Sequence, residues 1–250
     1  MKISKLRIGI FMGGMSLERE VSFNSGRTVC DHIDITKFDV VPIFQTELGA
    51  LYLLPFKFMH RGKIADFRKR LDTEATQISW DDLSSHIDFC FLAVHGKFAE
   101  DGTLQGMLEI QNIPYLGSKI FGSALSMNKV TQKKWMQLHE ILTARDIAIA
   151  ASQIQNIDTQ KVLDLIKKQN FSFPCIVKPV SEGSSVGITV VEKPKDLLPA
   201  IKTAWQIDPN NHNDIIVEEF VRGMEFSCIC LQAQDHSWKT LAVTQIILES

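Results

Sequence analysis

No run in the 250-residue sequence approaches the ~18 uninterrupted apolar residues that a membrane-crossing helix needs. The amino terminus passes from Met1-Lys2 into a strand-like run without the pattern of a signal peptide. A cytoplasmic protein with no membrane partner is the expectation. Charge of one sign is also missing: 27 Lys and Arg against 29 Asp and Glu leave a formal net charge of -2. The paired lysines Lys133-Lys134 and Lys167-Lys168 read as solvated helix faces, so nucleic acid is not an expected partner. None of the five cysteines forms a Cys-x-x-Cys pair. Cys30, Cys90, Cys175, Cys228 and Cys230 are expected to be reduced and structural, most of them small hydrophobes within apolar strand-like runs. Cys228 and Cys230, two apart, would share a strand face, but further ligands for a metal are lacking. Internal repeats and low-complexity tracts are absent as well.

What is present is an ordinary globular composition, 45% hydrophobic, in a chain long enough for two or three compact domains. The first part alternates strand and helix: a strand over 6–12, helical spacing over 18–33, extended chain over 38–44 and a buried strand over 88–94. Such alternation implies a parallel sheet flanked by helices. Residues 48–77 lack a clean period and are expected to form a peripheral excursion or hairpin. A helix over 102–111 and a short strand and turn over 113–117 close this part. Beyond it, the spacing predicts a helix over 123–142, a strand around 147–154, a helix over 159–169, a strand over 173–177 and another over 188–191. A helix over 194–205 with proline in its first turn follows, then a loop over 208–214, a strand over 215–220, and strands over 225–232 and 241–248. No helix follows to cover the last strand, and Ile246, Ile247 and Leu248 are expected to be uncovered and prone to aggregation.

The richest segment is Lys178-Pro179-Val180-Ser181-Glu182-Gly183-Ser184-Ser185-Val186-Gly187. Glycines let backbone amides approach an anion, serines add donors, and a lysine at a strand end supplies a compact charge. It lacks the Gly-Lys-Ser/Thr ending of a Walker loop, and a strand follows it rather than a helix. It therefore reads as a flexible hairpin tip that could close over a phosphate. By residue type alone, an ordinary Gly/Ser hairpin with an exposed lysine accounts for the same run.

Gly13-Gly14-Met15-Ser16-Leu17-Glu18-Arg19-Glu20-Val21-Ser22 sits where the first strand turns into the first helix. Free amides and the helix dipole there favour an anion, while a tight turn and capped helix explain the residues equally well. Glu18, Val21 and Ser22 fall on one helix face, and Glu18 suits an ammonium group. His95-Gly96-Lys97-Phe98-Ala99-Glu100-Asp101-Gly102 follows a buried strand, at the sheet edge where ligands of such folds collect. Glu100 could orient His95, or both could serve only to cap the next helix. Glu218 and Glu219 alternate across a strand, so at most one faces a given cleft. Glu225 and Lys129 are unremarkable alone.

Together these segments, with Ser123-Ala124-Leu125-Ser126-Met127-Asn128-Lys129 and Thr103-Leu104-Gln105-Gly106, resemble in order and spacing the D-alanine:D-alanine ligases, an ATP-grasp ligase family. The resemblance covers essentially the whole chain. It implies an α/β architecture: a Rossmann-like, pre-ATP-grasp domain over 1–117 that binds D-alanine, a central ATP-grasp subdomain over 118–221, and the start of a carboxyl-terminal subdomain over 222–250. It also implies ATP-dependent ligation of two D-alanines through an acyl phosphate for peptidoglycan precursors. By that resemblance Glu18 and Ser184 belong to a catalytic hydrogen-bonded triad, and Val21, Ser22, His95 and Glu100 serve the D-alanine end. Lys129, Lys178, Ser184 and Ser185 serve the ATP phosphates, and Glu218, Glu219, Val221 and Glu225 serve adenine and ribose. Family members extend past the equivalent of Ser250 into a segment with a triad tyrosine and the ligands for magnesium or manganese. The chain is therefore expected to be truncated, with no metal ligands of its own, and a nucleotide- or D-alanine-binding remnant without ligase activity is the alternative. Another ATP-grasp ligase with a different acceptor is a third reading, disfavoured by the segments around Glu18 and His95. The resemblance also allows a homodimer through the first domain.

Overall fold

An unbroken apolar run makes β1 (Leu6–Gly13) the centre of the first sheet, with six of its eight residues buried. The computed structural model describes residues 5–60, 62–208 and 212–247. Met1-Lys2, the middle of the loop expected over 208–214 and Leu248 lie outside the described residues. From β1 the chain enters α1 (Arg19–His32), which buries Ser22, Phe23, Gly26 and Cys30 as a stripe of helical period. It returns as β2 (Phe38–Gln45) and β3 (Leu51–Leu53), then passes through the single-turn helices α2 (Ile64–Phe67) and α3 (Leu71–Glu74) to β4 (Thr76–Ile78). The one-turn helix α4 (Leu83–His86), β5 (Phe89–Leu92), α5 (Thr103–Ile110) and β6 (Tyr115–Leu116) complete the first unit.

The strand order is β4-β3-β2-β1-β5-β6. Both neighbours of β1 are parallel to it, β2 reached on one side and β5 on the other. The chain therefore changes direction across the sheet at β1, and the carboxyl ends of β1 and β5 flank a crevice of the kind that holds ligands in open α/β sheets. Of the two alternatives expected over 48–77, the hairpin is the one formed, at the edge of the sheet. β3 and β4 extend the sheet as antiparallel strands, and Phe58 and Phe67 enter the core. Phe67 lies 5.1 Å from Phe23 and 5.4 Å from Phe44, centroid to centroid, so aromatic packing holds a segment that shows no periodicity in sequence.

The second unit begins with α6 (Ile120–Met127) and α7 (Lys129–Leu138), followed by β7 (Asp146–Ile149), α8 (Ala151–Ile154), α9 (Thr159–Lys168), β8 (Cys175–Pro179), β9 (Thr189–Val191), α10 (Leu197–Trp205) and β10 (Ile215–Glu219). The single helix expected over 123–142 is two. Asn128 breaks it with extended backbone and caps α7, its side chain accepting a 2.9 Å hydrogen bond from the Thr131 amide. The strand expected around 147–154 stops at Ile149, and a helical turn follows. The antiparallel sheet runs β7-β10-β8-β9. One face carries Ile147, Ile149, Cys175, Val177, Ile215 and Val217 against Val162, Ile166, Leu197 and Ile201 of α9 and α10. Lys178 and Pro179, expected in the loop, are the last residues of β8.

Beyond Gly223 the expected longer strands resolve into β11 (Glu225–Ser227), β12 (Cys230–Gln232), β13 (Trp238–Thr240) and β14 (Thr244–Ile246), pairing as β11 with β14 and β12 with β13. All are exposed, Ile246 and Ile247 included. Cys228 lies outside these strands, so it does not share a strand face with Cys230, and both are exposed. Cys30, Cys90 and Cys175 are buried, which pushes the Cys30 thiol up to about 12 and Cys175 to about 11. Among the described residues no helix is long and apolar enough to cross a membrane.

Candidate active site

The turn after β1 brings Glu18, at the start of α1, into the crevice at the carboxyl ends of β1 and β5. Glu18 is 5% exposed. Ser16 and Ser22 clamp the end of the neighbouring strand. The Ser16 hydroxyl donates to the His95 carbonyl at 2.7 Å, and the His95 amide donates to the Ser22 hydroxyl at 2.9 Å. Ser22 also donates to the Glu18 carbonyl at 3.1 Å and is fully buried. Its hydroxyl is thus spent on the backbone and positions His95, where the helix-face reading expects it to point into the cleft. Val21, expected on the same face, is 48% exposed while its two companions are buried.

The His95 ring bonds the Ser25 hydroxyl through Nε2 at 2.8 Å and faces Glu100 through Nδ1 at 3.9 Å. The Glu100 carboxylate raises the imidazole above its usual value, against the opposing effect of burial. Glu100 is itself fixed by the Gly96 amide at 2.6 Å, and although burial pushes its carboxyl up, the bonds from His95 and Gly96 hold it below the usual range.

From the other unit, the hairpin between β8 and β9 reaches across to Glu18. Ser184 donates from its hydroxyl to Glu18 Oε2. Ser184 and Ser185 are left-handed, with φ of 46° and 59°, a conformation uncommon outside glycine. Gly96 and Gly183 close on the same carboxylate: a Cβ on either would stand 2.7 Å from Glu18 Oε1. That oxygen is buried and has no hydrogen-bond partner. A cleft lined in part by Ser16, Arg19, Lys97, Phe98 and Glu182 opens around the start of α1.

The sheet register gathers the charges. Lys178 stands opposite Ile216, and Glu218 stands opposite Asp146, so period-2 alternation places Lys178, Glu218 and Asp146 on one sheet face. Lys129 and Lys133, one helical turn apart on α7, come down onto that face. Lys178 Nζ lies 2.5 Å from Glu218 Oε2, and Lys133 Nζ lies 2.9 Å from Glu218 Oε1 and 3.0 Å from Asp146 Oδ1. Burial pushes the Glu218 carboxyl up, but the two lysines outweigh it and hold it below its usual value. Lys129 Nζ donates to the Glu182 carbonyl and, at 3.4 Å, to that of Val180, tying α7 to the hairpin. Burial, reinforced by Lys178, lowers Lys129. Glu182 is buried, accepts from Asn213 Nδ2 at 3.1 Å, and is raised by that burial.

Lys133, expected on a solvated face, is only 7% exposed and is the residue most clearly missed; its i+4 spacing from Lys129 was the available signal. Glu219 points to the opposite sheet face, as alternation requires, and pairs with Arg145, whose Nε donates to it at 2.8 Å. Val221 and Glu225 are exposed, and among the described residues no hydrogen bond joins their side chains to the lysine cluster. Ser185 is likewise exposed on the hairpin.

A mixed-sheet α/β unit with a parallel centre beside an antiparallel sheet, with a glycine hairpin and three lysines gathered at one face of the latter, is the arrangement of an ATP-grasp protein. Residues 7–118 match the family description "D-ala D-ala ligase N-terminus", and residues 123–250 match "D-ala D-ala ligase C-terminus". The chain belongs to the D-alanine–D-alanine ligase family. A D-alanine–D-alanine ligase of Geobacter sulfurreducens is 34% identical over 224 residues, which are 90% of this chain and 58% of that relative. The chain thus spans less than two thirds of that relative's length. Among solved structures, the D-alanine–D-alanine ligase from Coxiella burnetii superposes with a TM-score of 0.82 at 25% identity, covering 98% of this chain and 69% of the other. The VanG D-Ala:D-Ser ligase from Enterococcus faecalis gives 0.78 at 27% identity, covering 97% and 70%.

Proposed function

We propose that the protein joins two D-alanines at the cost of ATP, through an acyl phosphate, to supply a peptidoglycan precursor in the cytoplasm. The observation that carries this reading is the buried Oε1 of Glu18, without a hydrogen-bond partner between Gly96 and Gly183, in a chain of this family. An amino group is the complement such a carboxylate calls for, because a buried acceptor left unpaired costs about 1–3 kcal/mol.

In this reading, residues 1–117 hold the first D-alanine, residues 118–221 hold ATP, and 222–250 begin a further subdomain. The ammonium of the first D-alanine sits on Glu18, and Val21 and Ser22 border that subsite, Ser22 through its hold on His95. His95, charged beside Glu100, faces the D-alanine carboxylate. Lys129 and Lys178 neutralise the phosphates while Ser184, Ser185 and the loop amides close over them. Glu218, Val221 and Glu225 border adenine and ribose, whereas Glu219 faces the other side of the sheet and pairs with Arg145. A carboxylate oxygen of the first D-alanine attacks the γ-phosphorus, and the bond to the β-phosphate breaks to release ADP. The amine of the second D-alanine then attacks the acyl carbon, loses a proton to solvent and expels phosphate. The protein contributes positioning and charge stabilisation, where one well-placed donor is worth roughly a hundredfold in rate.

Magnesium supplies phosphate-charge neutralisation in such reactions. Among the described residues no group of three or more His, Cys, Asp or Glu side chains could hold a metal, and both Glu218 oxygens are committed to ammonium groups. The donor set does not fit a divalent cation, so no step is assigned to one. A homodimer through the first unit is part of the same proposal.

The test is transfer of label from D-alanine carrying 18O in its carboxylate. The expected outcome is dipeptide together with phosphate bearing one 18O. Dipeptide with unlabelled phosphate removes the acyl phosphate, and ATP binding without dipeptide favours a binding protein without turnover.

A further inference from the structure

Lys178 is asked to do two things. It lies 2.5 Å from Glu218 Oε2, and in the reading above it also serves an ATP phosphate. Glu218 is buried, with a side chain 9% exposed, so it cannot exchange Lys178 for water when the lysine turns toward a nucleotide. An isolated buried carboxylate would compete with the phosphate and hold Lys178 back. The second oxygen of Glu218 supplies the solution: it is bonded to Lys133 at 2.9 Å, and Lys133 is held in place from its far side by Asp146 at 3.0 Å.

We infer that Lys133 is a positioning residue that keeps Glu218 compensated when Lys178 leaves it for a phosphate, and so frees Lys178 to bind ATP. Three features support this. Lys133 is as buried as Glu218, so the pair has no solvent alternative. Lys133 sits on α7 one turn after Lys129, on the helix that carries the other proposed phosphate lysine, so one rigid element fixes both. Asp146 lies directly across the β7–β10 pair from Glu218, which anchors Lys133 to the sheet and keeps its charge from reaching the nucleotide itself. The four side chains therefore alternate in sign, Lys178, Glu218, Lys133 and Asp146, and only the first is free to change partner.

This inference rests on Lys178 serving the phosphate, and the experiment separates the two. The affinities of ATP and adenosine are measured by displacement of a fluorescent trinitrophenyl-ATP from the unaltered chain and from Lys178→Ala, Lys133→Met, Lys133→Arg and the double variant Lys133→Met with Glu218→Gln. The expected result for Lys133→Met is about a tenfold or greater loss of ATP affinity with adenosine affinity unchanged, since only the phosphate contact is lost. Lys133→Arg retains most of the affinity, and adding Glu218→Gln to Lys133→Met recovers part of the loss because the carboxylate that traps Lys178 is gone. A merely structural role would weaken ATP and adenosine alike and would not be relieved by the second substitution. Lys133→Met with unaltered ATP affinity overturns the inference, as do equal losses for both ligands. If Lys133→Met does not fold, the arginine and double variants decide: ATP affinity as poor as in Lys178→Ala in both overturns it. Unchanged ATP affinity in Lys178→Ala instead removes the phosphate reading beneath it.

Discussion

The Ser184 hydroxyl donates a hydrogen bond to the Glu18 carboxylate and thereby ties the glycine hairpin of the central sheet to the first helix of the amino-terminal sheet. One carboxylate oxygen is taken by the loop, and the other is left buried and unpaired. In the proposed reading, holding the hairpin and presenting an acceptor to a ligand's amino group are thus properties of one side chain.

Ser184→Ala breaks that tie without touching the acceptor. Loss of a hydrogen bond to a charged group corresponds to about a tenfold rise in the D-alanine concentration for half-saturation, with ATP binding less affected. Steady-state kinetics on the variant checks this; a changed ATP requirement with an unaltered D-alanine requirement contradicts it. Glu18→Ala removes both partners and raises the D-alanine requirement further.

Gly96→Ala brings a Cβ to 2.7 Å from Glu18 Oε1 at a φ of 79°, where an L side chain is strained. The expected outcome is a loss of about 1–3 kcal/mol of stability together with a displaced Glu18 and weaker D-alanine binding. Gly122→Ala is the control. It lies inside α6 with its nearest neighbour at 3.7 Å, and alanine there should leave binding unchanged and stability equal or higher by up to ~1 kcal/mol.

Glu100→Gln lowers the pH at which the His95 imidazole titrates, because the carboxylate that favours its charged form is removed. The sign for stability follows: a histidine raised in the folded state contributes most below its unfolded value and loses the contribution as pH rises through the folded one. NMR titration of the ring protons measures the shift directly. An unmoved titration would mean that Ser25 alone sets the ring.

The architecture of both sheets is readable from apolar strands, glycine turns and helical spacing, and so are Glu18, His95 and Lys178. Four features are hidden for identifiable reasons. Asn128 splits one helical period into two helices through its cap, which hydrophobic spacing does not register. Lys133 looks like any helix-surface lysine until strand register places Glu218 and Asp146 under it, a non-local fact. Phe58 and Phe67 enter the core from a stretch of single-turn helices too short to show a period. Arg145 is missed likewise, since its partner Glu219 lies on a strand 74 residues away.

Arg7 and Asp88 clamp the start of β1 to the segment before β5, with Nη2 2.6 Å from Oδ1 and the Arg7 amide 2.8 Å from Oδ2. The hydrogen bonds from Arg7 hold the Asp88 carboxyl at about 2. A depressed carboxylate contributes stability above its unfolded value, near 4, and loses it as pH falls through the folded value near 2. Urea midpoints should fall between those limits in the unaltered protein, and Asp88→Asn should flatten that part of the profile. An identical acid dependence in the variant contradicts the assignment.

The most direct test of the proposed ligation is D-alanine-dependent phosphate release from ATP with magnesium, with Lys178→Ala as control. The expected result is release that requires D-alanine, is not supported by L-alanine and disappears in the variant. Release that ignores D-alanine, or its absence from folded protein that binds ATP, contradicts the ligase reading.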